Sequence, residues 1–129
     1  MIESLDTSIL VRLITGDIPH QCQKARHIIN RPVNYHVADI AIVELVYVLE
    51  NYYHYDRAHI NEALFSIIDL PNIKCNRALF QSALPIYLAH PKLSFVDCCL
   101  TEYARLKQSE PLWTFDKKLA MQSGTAKEP

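Results

Sequence analysis

The order of hydrophobic and polar residues divides the chain into short apolar runs and longer amphipathic segments. Apolar runs at residues 2–5, 33–37, 73–75 and 112–115 have the length of strands, and the segments between them carry apolar residues at helical spacing. Strands that alternate with helices predict an α/β protein. We expect a three-layer α/β/α sandwich with a central, mostly parallel sheet covered by helices on both faces.

Capping and turn residues predict where the helices begin and end. Thr7 is expected to cap the first helix, Gly16 to end it, and Pro19 to lie in the first turn of the second. Pro85 lies inside a later helical segment, which it is expected to kink or break. Asp39 and Asn76 are expected to cap two further helices, and Asp56 to open another.

Composition predicts one globular domain, residues 1–121, followed by a polar tail, residues 122–129. Half of the 129 residues are hydrophobic, which is enough for a single core. No stretch approaches the roughly 20 apolar residues that span a bilayer, and the N-terminus lacks the pattern of a secretory signal. We therefore expect a cytoplasmic protein without a membrane segment. Thirteen basic and 14 acidic residues give a net charge of −1, so any nucleic-acid contact needs basic groups concentrated locally or supplied by a second subunit.

Four acidic residues occupy positions where an α/β sheet commonly builds its active site. Asp6 follows the first predicted strand and Asp116 the last, while Glu44 and Asp97 lie near the starts of two helices. In parallel sheets these positions share one edge, so the four carboxylates can converge. Their apolar sequence neighbours would make unpaired burial costly, and a bound cation would offset that cost.

An all-carboxylate site favours Mg²⁺, or Mn²⁺, over zinc. Such ions promote hydrolysis of phosphodiesters. Each acid also has a plainer interpretation. Asp97, three residues after Ser94, can be a capping-box acid, Asp6 a turn residue, and Asp116 a helix cap. Glu44 is the hardest to explain in this way, because it interrupts an apolar run.

Four short motifs, in order and with matching spacing, resemble the PIN-domain family, specifically its VapC-type toxins. They are residues 5–10 (LDTSIL), 43–49 (VELVYVL), 94–97 (SFVD) and 112–119 (LWTFDKKL). The resemblance implies an endoribonuclease with a metal site formed by Asp6, Glu44, Asp97 and Asp116. It also implies a homodimer that a cognate antitoxin neutralises by covering the active-site groove. Asp6 and Asp97 would bind the ion directly, Asp116 directly or through water, and Glu44 would hold a water or a second ion.

Several residues are weaker candidates for supporting these acids or contacting RNA. Thr114 matches a family hydroxyl that can orient a carboxylate or water. Thr7 lies beside Asp6, and Arg12 and Lys117 could meet phosphates. The aromatic run at residues 52–55 could stack on bases or pack an interface, and the sequence favours the interface.

Other functions fit parts of the same pattern. A phosphatase or phosphoacceptor domain also places acids at strand ends, but it does not explain Glu44. A non-catalytic PIN-like module could bind RNA or a protein, although such modules usually lose some of the four acids. A DNA nuclease stays open, because carboxylate–metal chemistry does not itself read the 2′-hydroxyl.

Overall fold

The computed structural model describes all 129 residues, which form seven α-helices and five short β-strands. The chain divides into two compact units, Met1–Asn76 and Arg77–Pro129. Every strand pair is parallel, so the predicted α/β class and parallel pairing are confirmed. The single domain of residues 1–121 stays a prediction. None of the seven helices combines the length and the hydropathy that a membrane-spanning helix requires.

The first unit is built on a three-stranded parallel sheet. Its elements are β1 (Ile2–Ser4), α1 (Thr7–Thr15), α2 (Pro19–Ile29), β2 (Asn34–His36), α3 (Asp39–Asn51), α4 (Arg57–Ile68) and β3 (Ile73–Lys74). The strand order is β1-β2-β3, with Ile2 opposite Asn34 and Tyr35 opposite Ile73. Two helices connect each pair of neighbouring strands, since parallel strands need a crossover rather than a hairpin.

Two helix starts in this unit differ from the sequence prediction. Asp6, not Thr7, is the N-cap of α1, because its carboxylate accepts the Ser8 backbone N–H. Thr7 is buried, and its hydroxyl donates to the Ala41 carbonyl 3.4 Å away. Asp39 lies in the first turn of α3 and does not cap it. The predicted roles of Gly16 and Pro19 in α1 and α2 are confirmed, and so is the start of α4 at Asp56, which is its N-cap.

The second unit combines a helix pair with a two-stranded parallel sheet. Its elements are α5 (Arg77–Ala89), α6 (Phe95–Leu106), β4 (Leu112–Trp113), α7 (Lys117–Gln122) and β5 (Ala126–Lys127). α5 packs against α6, and a buried aromatic cluster of Phe80, Tyr87 and Phe95 lies between them. The ring centroids of Tyr87 and Phe95 are 5.3 Å apart in an edge-to-face contact.

Two features of this unit were not predicted. Of the two expected effects of Pro85, a break is wrong, because α5 continues through it, whereas a kink stays a prediction. Pro85 and Gln81 are both exposed, so water can satisfy the residue-81 carbonyl that loses its helical N–H partner. β5 lies within the expected polar tail. It pairs with β4 and buries Ala126, so this segment contributes to the unit's core.

Candidate active site

Asp6 lies between β1 and α1, and its carboxylate is held by one neighbour. Ser8 donates to Asp6 Oδ2 twice, from its hydroxyl at 2.7 Å and from its backbone N–H at 3.2 Å. These bonds, the hydroxyl bond first, lower the pKa of Asp6 below its ordinary value because they favour the ionised form. Asp6 is therefore a carboxylate at neutral pH, and its Oδ1 lies outside both Ser8 bonds.

Glu44 shares a cavity with Asp6. This α1–α3 cavity has a volume of about 550 Å³. Its walls include Asp6, Val11, Arg12, Glu44, Val48 and Tyr52. Glu44 is exposed, whereas the adjacent Leu45 and Val46 are buried. The expected cost of burying this acid therefore does not arise, because α3 turns Glu44 away from its apolar sequence neighbours.

Asp97 belongs to a complete capping box at the start of α6. Its Oδ2 accepts the Ser94 backbone N–H at 3.2 Å, and its own backbone N–H donates to Ser94 Oγ at 3.0 Å. The predicted capping box is thus confirmed. Asp97 Oδ1 lies outside this arrangement, and the side chain is half-buried.

Asp116 is the N-cap of α7, two residues after β4. Its Oδ1 accepts the Leu119 backbone N–H at 3.1 Å, and its own backbone N–H donates to Thr114 Oγ1 at 3.0 Å. Thr114 therefore holds the main chain of Asp116 and does not bond its carboxylate. Asp116 is exposed, and its Oδ2 lies outside the cap.

The four predicted acids divide between the two units. Asp6 and Glu44 line one cavity of the first unit, and Asp97 and Asp116 belong to the second. Within each unit, no group of three or more His, Cys, Asp or Glu side chains is arranged to hold a metal ion. The convergence of all four acids on one ion therefore stays a prediction.

Arg12 is fixed on the wall of the α1–α3 cavity by three polar partners. Its Nε donates to Gln21 Oε1 at 2.7 Å, and its Nη1 donates to Asp17 Oδ1 and to the Tyr53 hydroxyl oxygen, each at 3.1 Å. Tyr53 in turn donates to Asp17 Oδ2 at 2.7 Å. The pKa of Asp17 is lowered, first by the Tyr53 hydroxyl and then by the hydroxyl of Thr15.

The remaining sequence candidates have different surroundings. Thr7 lines the α1–α3 cavity, but its hydroxyl donates to the backbone carbonyl of Ala41. Lys117 is exposed at the first position of α7. Sequence reasoning missed Ser8 and Asp17. The bond between Ser8 and Asp6 was predictable, because an N-cap side chain normally accepts a hydrogen bond from the backbone N–H two or three positions later. The bond between Tyr53 and Asp17 was not predictable from a local pattern, since it joins residues far apart in sequence.

These features define an α/β protein with parallel strands and ionisable carboxylates at strand ends and helix starts. Comparison with protein-family models matches residues 4–123 to the PIN domain. The match covers nearly the whole chain and all four acids, so the protein belongs to the PIN domain family. Its seven helices and parallel strands are consistent with the three-layer fold predicted for that family. A comparison with curated proteins finds no significant match.

The family places this chain among nuclease-type proteins. PIN domains are generally nucleases, and PIN nucleases generally use divalent metal ions. The family-level part of the sequence prediction is therefore confirmed.

Proposed function

We propose that the protein is a Mg²⁺-dependent endoribonuclease, with Mn²⁺ as an alternative ion, that acts as the toxin of a VapBC-type toxin–antitoxin pair. The observation that carries the proposal is the PIN match over residues 4–123, which includes Asp6, Glu44, Asp97 and Asp116. Those four side chains are the acids that the family motifs predict from order and spacing.

The hydrogen bonds of the acids are compatible with a bound ion. Asp6 Oδ1, Asp97 Oδ1 and Asp116 Oδ2 lie outside the bonds that hold their respective side chains. Carboxylate oxygens are the donors that Mg²⁺ and Mn²⁺ prefer. In our proposal Asp6 and Asp97 bind the ion directly, Asp116 does so directly or through water, and Glu44 holds a water or a second ion.

A divalent ion in such a site supplies a nucleophilic water and charge stabilisation for phosphodiester hydrolysis. The chain's contribution is to favour the ionised form of Asp6 and to orient the carboxylates of Asp6, Asp97 and Asp116. Ser8 favours the charged form of Asp6, while backbone N–H groups at the starts of α6 and α7 hold Asp97 and Asp116. Fixing one oxygen of each carboxylate limits the side-chain freedom that metal binding would otherwise have to remove.

The toxin role extends the proposal to partners. It rests on the resemblance of the four motifs to those of VapC-type toxins. It includes an RNA substrate, a homodimer, a cytoplasmic location and a cognate antitoxin whose C-terminal segment covers the active-site groove. A net charge of −1 gives one chain little general attraction to a polyanion, so RNA binding requires basic groups that are concentrated locally or supplied by a second subunit.

The test is cleavage of total cellular RNA by purified protein with Mg²⁺, with Mn²⁺ and with chelator. Asp116→Asn is compared with Asp56→Asn, since both residues are exposed N-caps and only Asp116 is one of the four acids. Asparagine caps helices about as well as aspartate, so both variants should fold.

We expect discrete RNA fragments from the wild type and from Asp56→Asn, and none with chelator or from Asp116→Asn. Equal cleavage by the two variants would overturn the site assignment. RNA binding without cleavage under any condition, in protein free of antitoxin, would instead favour a non-catalytic PIN-like module.

A further inference from the structure

We infer that the α1–α3 cavity binds one unpaired RNA nucleotide, with its base against Tyr52 and its phosphate on Arg12. This inference rests on the proposed ribonuclease function and adds a substrate subsite to it. The cavity belongs entirely to the first unit, and Asp6 and Glu44 are on its wall. An RNA strand that reaches these two acids therefore passes beside the cavity.

The cavity has the size and the mixed lining of a nucleotide site. Its volume of about 550 Å³ lies within the roughly 300–1,000 Å³ usual for small-molecule pockets. Val11 and Val48 supply apolar wall, and Tyr52 supplies an aromatic ring. Single-stranded RNA is commonly recognised by stacking its bases on aromatic side chains.

The aromatic run at residues 52–55 does not act as one unit. Tyr53 is tied by its hydroxyl to Asp17 and Arg12, and Tyr55 packs against Tyr53 and the His59 ring. Tyr52 is 72% exposed and lines the cavity. Internal packing thus accounts for Tyr53 and Tyr55, whereas the ring of Tyr52 is open to a ligand.

The guanidinium of Arg12 is held in a position from which it can donate to a phosphate. Its Nε and Nη1 bond Gln21, Asp17 and Tyr53, and these bonds leave out Nη2. A guanidinium fixed in this way loses little freedom when Nη2 donates to a phosphate oxygen. Asp17 offsets part of the positive charge, so we expect Arg12 to contribute at most one full phosphate contact to the salt dependence of binding.

Binding of a short RNA tests the base contact. The probe is a fluorescein-labelled adenosine hexaribonucleotide with Mg²⁺, and fluorescence anisotropy measures its affinity for full-length protein carrying Asp97→Asn to prevent cleavage. In this background Tyr52→Ala should weaken binding by about 5- to 150-fold, the range expected for loss of one base–aromatic stack. Tyr52→Phe, which keeps the ring, should bind within about twofold of its parent.

Tyr47→Ala is the matched control. Tyr47 lies on α3 and is 57% exposed, but it does not line the cavity. Its removal should leave the affinity unchanged. A hexamer of the same length without bases should bind the parent and the Tyr52→Ala variant equally, because it has nothing to stack.

Salt dependence tests the phosphate contact. Arg12→Gln should reduce the slope of log Kd against log salt concentration by up to about 0.7, the value for one phosphate contact on a single strand. Arg31→Gln is the control, because Arg31 also forms an ion pair, with Glu3, but lies outside the cavity. Its slope should equal that of the parent.

The failure of this inference differs from that of the proposed function. If the wild type cleaves RNA but Tyr52→Ala binds the hexamer as well as Tyr47→Ala does, the base site is wrong and a protein segment becomes the expected occupant. If Arg12→Gln and Arg31→Gln have equal salt slopes, the phosphate contact is wrong. Wild-type protein that neither binds nor cleaves RNA would overturn both proposals.

Discussion

Replacing Asp97 by asparagine is expected to remove the proposed activity while leaving the start of α6 nearly intact. The side chain takes part in a capping box with Ser94, and it is also one of the proposed metal-binding acids. A neutral amide can replace it in the first role but not in the second. Comparing Asp97→Asn with Ser94→Ala therefore separates helix capping from catalysis.

The two effects on stability follow from the two bonds of the box. In Asp97→Asn the amide oxygen can still accept the Ser94 N–H, so the main loss is the charge–dipole interaction, about 0.3–1 kcal/mol. Ser94→Ala removes the bond from the Asp97 N–H and should cost about 1 kcal/mol, with a range of about 0.5–2. In a chain of this size 1 kcal/mol corresponds to about 3–5 °C in Tm.

The effects on activity should run in the opposite order. Asp97→Asn should lower cleavage by more than about 100-fold, since even partners that merely orient metal ligands are worth about 10- to 100-fold. Ser94→Ala should lower it by only a few-fold. Thermal melting and RNA cleavage of both variants, measured in one buffer with Mg²⁺, give the comparison. Activity losses that simply follow the losses in Tm would refute the reasoning and leave Asp97 as a helix cap only.

Three further predictions concern the ion, the Asp17 network and the core. Saturating Mg²⁺ should raise the wild-type Tm by mass action, equivalent to about 2.7 kcal/mol at a concentration 100-fold above Kd; an unchanged melting curve would contradict a shared ion site. The Tyr53 hydroxyl, then that of Thr15, lowers the pKa of Asp17 below 3.8, so their stabilisation is present above that pH and lost as pH falls through the lowered value. Urea unfolding should therefore find Tyr53→Phe less stable than wild type at pH 7, with a smaller difference near pH 2 to 3; a constant difference would contradict this. Phe95→Ala should lower the free energy of unfolding in urea by about 3–5 kcal/mol, because Phe95 is buried between two aromatic rings. Phe115 is 88% exposed, so Phe115→Ala should change it by no more than about 0.5 kcal/mol. Similar losses in the two variants would contradict the packing.

Helix ends were predicted correctly from the sequence where only one residue nearby could form the cap or the stop. Gly16 ends α1 in a left-handed conformation with φ of 62°, and Pro19 lies at the start of α2. At the start of α1, however, two good capping residues compete. Asp6 caps because Thr7 is buried and bonded to Ala41, a contact that depends on how α1 packs against α3.

Pro85 and β5 show a similar limit. A proline is compatible with a helix where the freed carbonyl meets solvent, and exposure at this position is a property of the packed unit. The strand of β5 is only two residues long, Ala126–Lys127, and its sequence has no strand pattern. It pairs with β4 because the fold brings an edge alongside it, and a sequence pattern does not encode that partner.

The candidate site divides in the same way. Order and spacing were enough to select the four acids, because the family motifs are local. The network around Arg12 was not predictable, since Tyr53 contacts Arg12 and Asp17 from the bend that follows α3. Tyr52 and Tyr53 both line the cavity, but only the Tyr53 hydroxyl is bonded to Arg12 and Asp17, a difference that the sequence of the aromatic run does not show.

The capping and catalytic interpretations of these acids are not alternatives. Asp6 and Asp116 are N-caps and Asp97 completes a capping box, and each carboxylate uses one oxygen for the cap. A backbone N–H and a divalent ion can therefore share one side chain, and the helix start holds the second oxygen in a restricted position. For Asp6 the Ser8 bonds also lower the pKa, because they favour the ionised form. Glu44 has no capping role in α3, and its exposed carboxylate lines the cavity that Asp6 also lines. It is therefore the one of the four acids to which helix capping assigns no structural role.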